Sequence, residues 1–117
     1  MTDSEQMTNV QRTAKVQELN DKFRHSLRGG RLLITRGLLE TAGGSITDLL
    51  DAVRRFDAFD EDNDPYREHD FGSLSWRGER IFWKIDYYDA TMCYSSSDPT
   101  NPSITTRVLT VMLASEY

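Results

Sequence analysis

Residues 71–88 constrain the fold most, because their side chains alternate with the period of a β-strand. A glycine follows Arg77 in the middle of this segment and marks a tight turn, which predicts a hairpin of two strands. One face of the second strand carries Ile81, Trp83, Ile85 and Tyr87. The alternation predicts that this face lies on the core, where Leu74 and Trp76 of the first strand meet it.

Two segments carry apolar residues at the spacing of an α-helix. In the first, over about residues 10–27, the apolar stripe consists of Val16, Leu19, Phe23 and Leu27. The second follows Ser45, which we expect to be its N-cap, and runs to about Phe59. Its stripe consists of Ile46, Leu49, Leu50, Val53 and Phe56. The spacing therefore predicts two amphipathic helices, each with one face on the core.

Three further segments have weaker signals. The apolar run at 32–35 predicts a short buried strand that Leu38 and Leu39 extend, and residues 91–95 predict a third strand of the hairpin sheet. Residues 103–117 are ambiguous, because their β-branched side chains favour a strand while the apolar spacing favours a helix. We predict a helix there.

These elements predict a single α+β domain over residues 1–117, with two or three helices packed on a small antiparallel sheet. We expect residues 1–9 to form a flexible terminus. Residues 57–70 are rich in acidic side chains and contain Pro65, so we expect them to form an acidic loop.

Composition excludes several classes of protein. The net charge is −5, and the single cysteine, Cys93, excludes an internal disulfide. One cysteine and two histidines also exclude a four-ligand zinc finger. No apolar run reaches the roughly 20 residues of a membrane span, and the first ten residues lack the apolar centre of a secretory signal. We therefore expect a cytoplasmic protein without a cofactor or bound metal.

The acidity is concentrated in residues 37–70, which hold ten acidic and three basic residues and so carry a net charge of −7. Such a segment favours contact with a basic surface on a partner. The predicted partner-binding residues are Asp57, Asp60, Glu61, Asp62 and Asp64. A calcium loop is disfavoured, because Pro65 and Phe71 stand where that loop needs glycine and glutamate.

Glu68, His69 and Asp70 are the one local cluster with acid, base or metal-ligand chemistry. They are the candidate catalytic residues of an alternative function, a metal-dependent hydrolase or nuclease. Adjacent residues rarely converge on one atom, especially where a strand begins, so this alternative needs partners from elsewhere in the chain.

A second surface combines cationic and aromatic side chains that alternate with the core face of the hairpin. Its residues are Arg77, Arg80, Phe82, Lys84 and Tyr88. Aromatic rings interleaved with cations stack on bases in proteins that bind single-stranded nucleic acid. This surface supports a third alternative, a nucleic-acid-associated accessory factor.

Several motifs resemble the hallmarks of a family of small bacterial proteins of unknown function. They are NDPY (63–66), EHDFG (68–72), KIDYY (84–88), DPTNP (98–102) and TRVLTVMLA (106–114). The resemblance covers roughly residues 15–117. It implies an origin in alphaproteobacteria, often on plasmids and other mobile elements, and it implies no catalytic residue.

Together, the acidic segment and this resemblance favour a small, non-catalytic protein-binding module. In its most specific form, the module inhibits a host nucleic-acid-binding or defence protein by presenting carboxylates in place of nucleic acid. The expected partner is a protein with a basic surface. Direct binding of nucleic acid is disfavoured by the negative net charge.

Overall fold

The computed structural model describes residues 7–117. The helices are α1 (Asn9–Ser26), α2 (Arg36–Ala42) and α3 (Thr47–Arg54), and a short 3-10 helix spans Ala114–Glu116. The strands are β1 (Gly30–Ile34), β2 (Phe71–Trp76), β3 (Glu79–Tyr88) and β4 (Thr106–Leu113). The predicted α+β class is confirmed. The expectation of a flexible terminus falls mostly on residues 1–6, which lie outside the described residues, and Thr8 caps α1.

The four strands form one sheet in the order β1-β4-β3-β2. β4 is antiparallel to β3 and parallel to β1, so the sheet is mixed rather than antiparallel throughout. The predicted helix over 103–117 is therefore wrong, because residues 106–113 form a strand with a neighbour on each side. Its apolar residues are buried on both faces of the sheet, which explains an apolar run that does not alternate.

The predicted hairpin is confirmed. Trp76 pairs with Glu79 across the turn, where Arg77 and Gly78 have φ angles of 50° and 79°. Two consecutive left-handed residues produce a tight turn that suits the twist of paired strands. The predicted core face is also confirmed, because Ile81, Trp83 and Ile85 are buried in the main apolar cluster.

Several local predictions are wrong. Leu38 does not extend β1, because the Thr35 hydroxyl accepts a hydrogen bond from its amide and caps α2 instead. Residues 91–95 form a turn around the Asp89 side chain, with one isolated bridge to the sheet. The N-cap of α3 is Ile46 rather than Ser45, and the helix ends at Arg54. β1 is an edge strand and is partly exposed rather than buried.

The three helices pack on one face of the sheet. Phe23 of α1, Leu38 of α2 and Val53 of α3 join the strand residues of the main cluster. The predicted stripe of α1 is confirmed at Val16 and Phe23, yet the same helix also buries Asn20 and Arg24 completely. Among residues 7–117, no helix is long and apolar enough to span a membrane.

Candidate functional site

The acidic loop, residues 57–70, has a fixed shape that its own side chains impose. The Asp60 carboxylate accepts hydrogen bonds from the amides of Asp62 and Asn63, each at 2.9 Å. The Asn63 side chain donates to the Ala58 carbonyl at 2.8 Å and accepts from the Asp60 amide at 2.9 Å. These bonds satisfy the turn locally, as short polar side chains do in many loops. The loop is therefore held in one shape by its own bonds.

Helix α1 holds the second half of this loop against the domain. Gln17 and Asn20, one turn apart, donate to the carbonyls of Arg67 at 2.8 Å and Glu68 at 2.9 Å. Arg67 and His69 have φ angles of 58° and 55°, a left-handed backbone that is uncommon for side chains of this size. The tertiary hydrogen bonds compensate for this strain and fix the direction of the His69 side chain.

The imidazole of His69 lies between two carboxylates. Its Nδ1 is 2.9 Å and 3.1 Å from the two carboxylate oxygens of Asp21, and its Nε2 is 3.5 Å from Asp64 Oδ2. Asp64 also accepts from the His69 amide at 3.1 Å, and the ring stacks on Phe59 with centroids 3.8 Å apart. Both ring nitrogens thus face carboxylate oxygens. This arrangement ties the ring to structural partners.

The three candidate catalytic residues take different partners. Glu68 faces the Tyr87 hydroxyl, which donates to it at 3.3 Å, whereas His69 faces Asp21 and Asp64. The carbonyl of Asp70 accepts from the Ile85 amide at 2.8 Å and aligns the start of β2 with β3. Within residues 7–117, no group of three or more His, Cys, Asp or Glu side chains is placed to hold a metal ion.

Burial changes the acidity of both carboxyls beside His69. It raises the pKa of Glu68 above its ordinary value, and the nearby Asp70 carboxylate raises it further. Burial likewise raises the pKa of Asp70, and Asp64 adds to the effect. The pKa of Tyr87 is raised by burial as well. Ionising any of these three groups therefore costs more free energy in the folded protein than in water.

Behind the loop lies a buried polar cluster that the sequence did not reveal. Asn20 donates to the Tyr87 hydroxyl at 2.8 Å and accepts from Arg107 Nε at 2.7 Å. Arg24, 1% exposed, donates to the carbonyls of Val53, Arg54 and Phe56 at the end of α3 and to Asp21. The available signal was the position of Asn20 and Arg24, which follow Val16 by four and eight residues and so lie beside the predicted apolar stripe.

An acidic cleft of about 500 Å³ lies between this loop and α1. It is bordered by Gln17, Phe59, Asp60, Glu61, Arg67 and His69. Of the five predicted partner-binding residues, Asp57, Asp60, Glu61 and Asp62 are exposed. Asp64 is only 5% exposed and is engaged with His69, so its side chain is not available to a partner.

The predicted second surface is divided between two places. Arg80, Phe82, Lys84 and Tyr88 share the sheet face opposite the helices. Arg77 instead lies on the helix side, 4.2 Å above the Trp76 ring and 3.4 Å from Asp48. On the open face Phe82 packs edge to face against neighbouring rings, and Lys84 pairs with Asp86 at 2.8 Å.

The fold and site define a small α+β domain with an acidic loop, held by hydrogen bonds, and a cleft beside it. A model of a family described as proteins of unknown function, DUF3768, matches residues 34–116. The chain belongs to this family. The resemblance to a family of unknown function is confirmed, while the alphaproteobacterial and mobile-element setting stays a prediction. Comparisons with curated proteins and with solved structures give no match.

Proposed function

We propose that this protein is a non-catalytic binding module that receives a basic segment of a partner protein in the acidic cleft. The observation that carries the proposal is the acidic loop itself, where the exposed carboxylates of Asp60 and Glu61 border a cleft and the side chains of Asp60 and Asn63 hold the turn by internal hydrogen bonds. A loop that is already ordered loses little conformational entropy when a partner binds. Opposite charges across the contact also accelerate encounter.

The surroundings of His69 support binding rather than catalysis. A general base needs a free nitrogen within reach of the proton it removes. Here each ring nitrogen faces a carboxylate, and the two flanking candidates, Glu68 and Asp70, have other neighbours. The hydrolase alternative would require these contacts to break before reaction.

Binding of a labelled arginine-rich peptide, measured by fluorescence anisotropy at two salt concentrations, tests the proposal. The variant Asp60→Asn/Glu61→Gln keeps the side-chain acceptors of the loop and removes two charges. We expect its affinity to fall by about three- to tenfold at low salt and by less at high salt.

A matched control separates the cleft from the net charge. Glu40→Gln/Glu79→Gln removes two exposed carboxylates elsewhere in the chain and leaves the cleft intact. We expect nearly wild-type affinity for this control. Equal losses in both double variants would reduce the effect to general electrostatics and overturn the cleft as the binding site.

In its more specific form, the proposal is inhibition of a nucleic-acid-binding or defence protein of the host. The support is the net charge of −7 over residues 37–70, which complements the basic surface of such a protein. A partner captured with the wild-type chain, and lost with Asp60→Asn/Glu61→Gln, would be tested for release from DNA by the purified protein. Retention on DNA would contradict inhibition and leave a simple binding module.

A further inference from the structure

A second cleft lies on the opposite side of α1 from His69 and the acidic loop. We call it the apolar cleft. It has a volume of about 490 Å³ and is bordered by the end of α1, the turn before β1 and the segment before β4. Its walls are mainly carbon atoms and include Leu19, Phe23 and Pro102. Its size and apolar lining are those of sites that bind small molecules.

A buried cation borders this apolar cleft. Arg107 is only 4% exposed, and two of its guanidinium nitrogens are engaged, Nε with Asn20 and Nη2 with the Pro99 carbonyl at 2.6 Å. Its third nitrogen, Nη1, makes no hydrogen bond to any residue of the range 7–117, and no carboxylate in that range forms an ion pair with the side chain. The Tyr87 ring, 5.1 Å from the guanidinium carbon, and the more distant charge of Glu68 offset part of the cost of burying this cation, but no carboxylate within residues 7–117 forms an ion pair with it.

Two more cations stand at the entrance. Lys22 and Arg28 both border the cleft and are exposed. Neither side chain forms an ion pair with another residue of the described chain. The apolar cleft therefore combines a carbon-lined wall with three cations that form no direct ion pair within the described chain. The acidic cleft differs, because carboxylates border it together with Arg67 and His69.

We propose that the apolar cleft binds a small organic carboxylate that carries an apolar group. The carboxylate would lie near Arg107 with Lys22 and Arg28 at the rim, and the apolar group would lie against Leu19, Phe23 and Pro102. The guanidinium supplies charge-assisted hydrogen bonds, and the carbon wall supplies the hydrophobic contribution. The proposal does not rest on the function proposed for the acidic loop, although Asn20 links Arg107 to Glu68 of that loop.

Titration of the isotope-labelled protein with naphthalene-2-carboxylate, followed by NMR of the backbone amides, tests the proposal. We expect saturable shifts that are largest at Gly29 and Thr105, two residues that border the cleft. The neutral amide of the same ring system has the same shape without the charge, so we expect it to bind about tenfold more weakly. Equal binding of acid and amide, shifts centred elsewhere, or no saturation by about 10 mM acid would overturn the site.

Variants of the exposed rim avoid the risk that replacing the buried Arg107 unfolds the protein. Lys22→Gln/Arg28→Gln should weaken carboxylate binding by about three- to tenfold and leave amide binding unchanged. Lys15→Gln/Arg31→Gln removes the same charge from two residues that do not line the cleft and should bind as the wild type does. Equal weakening in both double variants would assign the binding to net charge and contradict a built site.

Discussion

The two faces of the four-stranded sheet use different means to organise their side chains. On the face covered by α1, α2 and α3, buried polar groups fix the helices, as Arg24 does by donating to three carbonyls at the end of α3. The opposite, open face buries Val108 and Met112 of β4, and around them lie partly exposed rings and one ion pair, for example Phe82 against Tyr117. The covered face therefore determines how elements are placed, while the open face adds contacts between strands already in position.

Replacing Arg24, on the covered face, should lower the free energy of unfolding more than any other substitution considered below. Arg24→Met removes the donor from three carbonyls and from Asp21, and it removes the cation that lies 5.0 Å above the Trp83 ring. We expect the free energy of unfolding to fall by about 3–5 kcal/mol, measured by urea denaturation. The exposed Arg55→Met should change it by less than about 0.5 kcal/mol. Similar losses in the two variants would show that Arg24 is not the link between α1 and α3.

Gly72 gives the next test of the covered face. A Cβ built on this residue of β2 would lie 2.3 Å from the Trp83 indole nitrogen, so Gly72→Ala must displace a buried ring. We expect a loss of about 1–3 kcal/mol, with a change in tryptophan fluorescence. At Gly44 a Cβ meets open space, so Gly44→Ala should be neutral or slightly stabilising. A neutral Gly72→Ala would mean that the packing around Trp83 is looser than the structure shows.

The elements of the covered face that have a periodic apolar pattern could be predicted from the sequence. The alternation of Ile81, Trp83 and Ile85 and the stripe of Val16 and Phe23 each report one face of one element, and both predictions are confirmed. β4 was missed because a central strand buries both faces and so has no alternation.

The site was harder to predict than the fold. His69 was identified, but its partner Asp21 lies 48 positions earlier in the chain, and only the packing of α1 on the loop brings the two together. Asn20 and Arg24 carried a local signal that was not used, since a polar residue beside an apolar stripe either faces solvent or is buried with its hydrogen bonds satisfied. Arg107 had no such signal, because it lies in a strand that was itself assigned as a helix.

Replacing Glu68 should change the stability of the protein by less than the two substitutions above, and the size of this change should depend on pH. The pKa of Glu68 is raised in the folded protein, so the native state binds more protons than the unfolded state between the ordinary and the raised pKa. Stability therefore falls as the pH rises through that window. Glu68→Gln removes this dependence and should raise the thermal midpoint near neutral pH but not below about pH 4.

The melting temperature as a function of pH checks this expectation, with Glu18→Gln as a control at an exposed carboxylate of α1. The control should shift the curve little at any pH. A gain from Glu68→Gln of the same size at every pH would point to a change in packing instead of titration.

A substitution of Tyr117 tests the packing on the open face. This residue is 75% exposed, yet its ring centroid lies 5.9 Å from that of Phe71 and 5.6 Å from that of Phe82, in edge-to-face contacts. Tyr117→Ala should cost about 1 kcal/mol, because such ring pairs contribute roughly that much. Tyr94→Ala is the matched control, since this tyrosine is equally exposed and has no ring partner in the described chain. If the two substitutions reduced stability equally, the ring contacts of Tyr117 would contribute nothing to the stability of the protein.

The smallest expected effect concerns the ion pair between Lys84 and Asp86, 2.8 Å apart on the open face. The hydrogen bond to Asp86 raises the pKa of Lys84, which shows the direction of the interaction, but both side chains are solvated. A double-mutant cycle with Lys84→Met and Asp86→Asn should give a coupling energy of about 0.2–1 kcal/mol that decreases in high salt.

Arg24 and Asp21, at 3.1 Å, are the matching pair on the covered face, where the cation is buried. Their coupling should exceed that of Lys84 and Asp86 and resist salt, because buried charges are screened less. If salt weakened both couplings equally, the contrast between the two faces would not extend to their ion pairs.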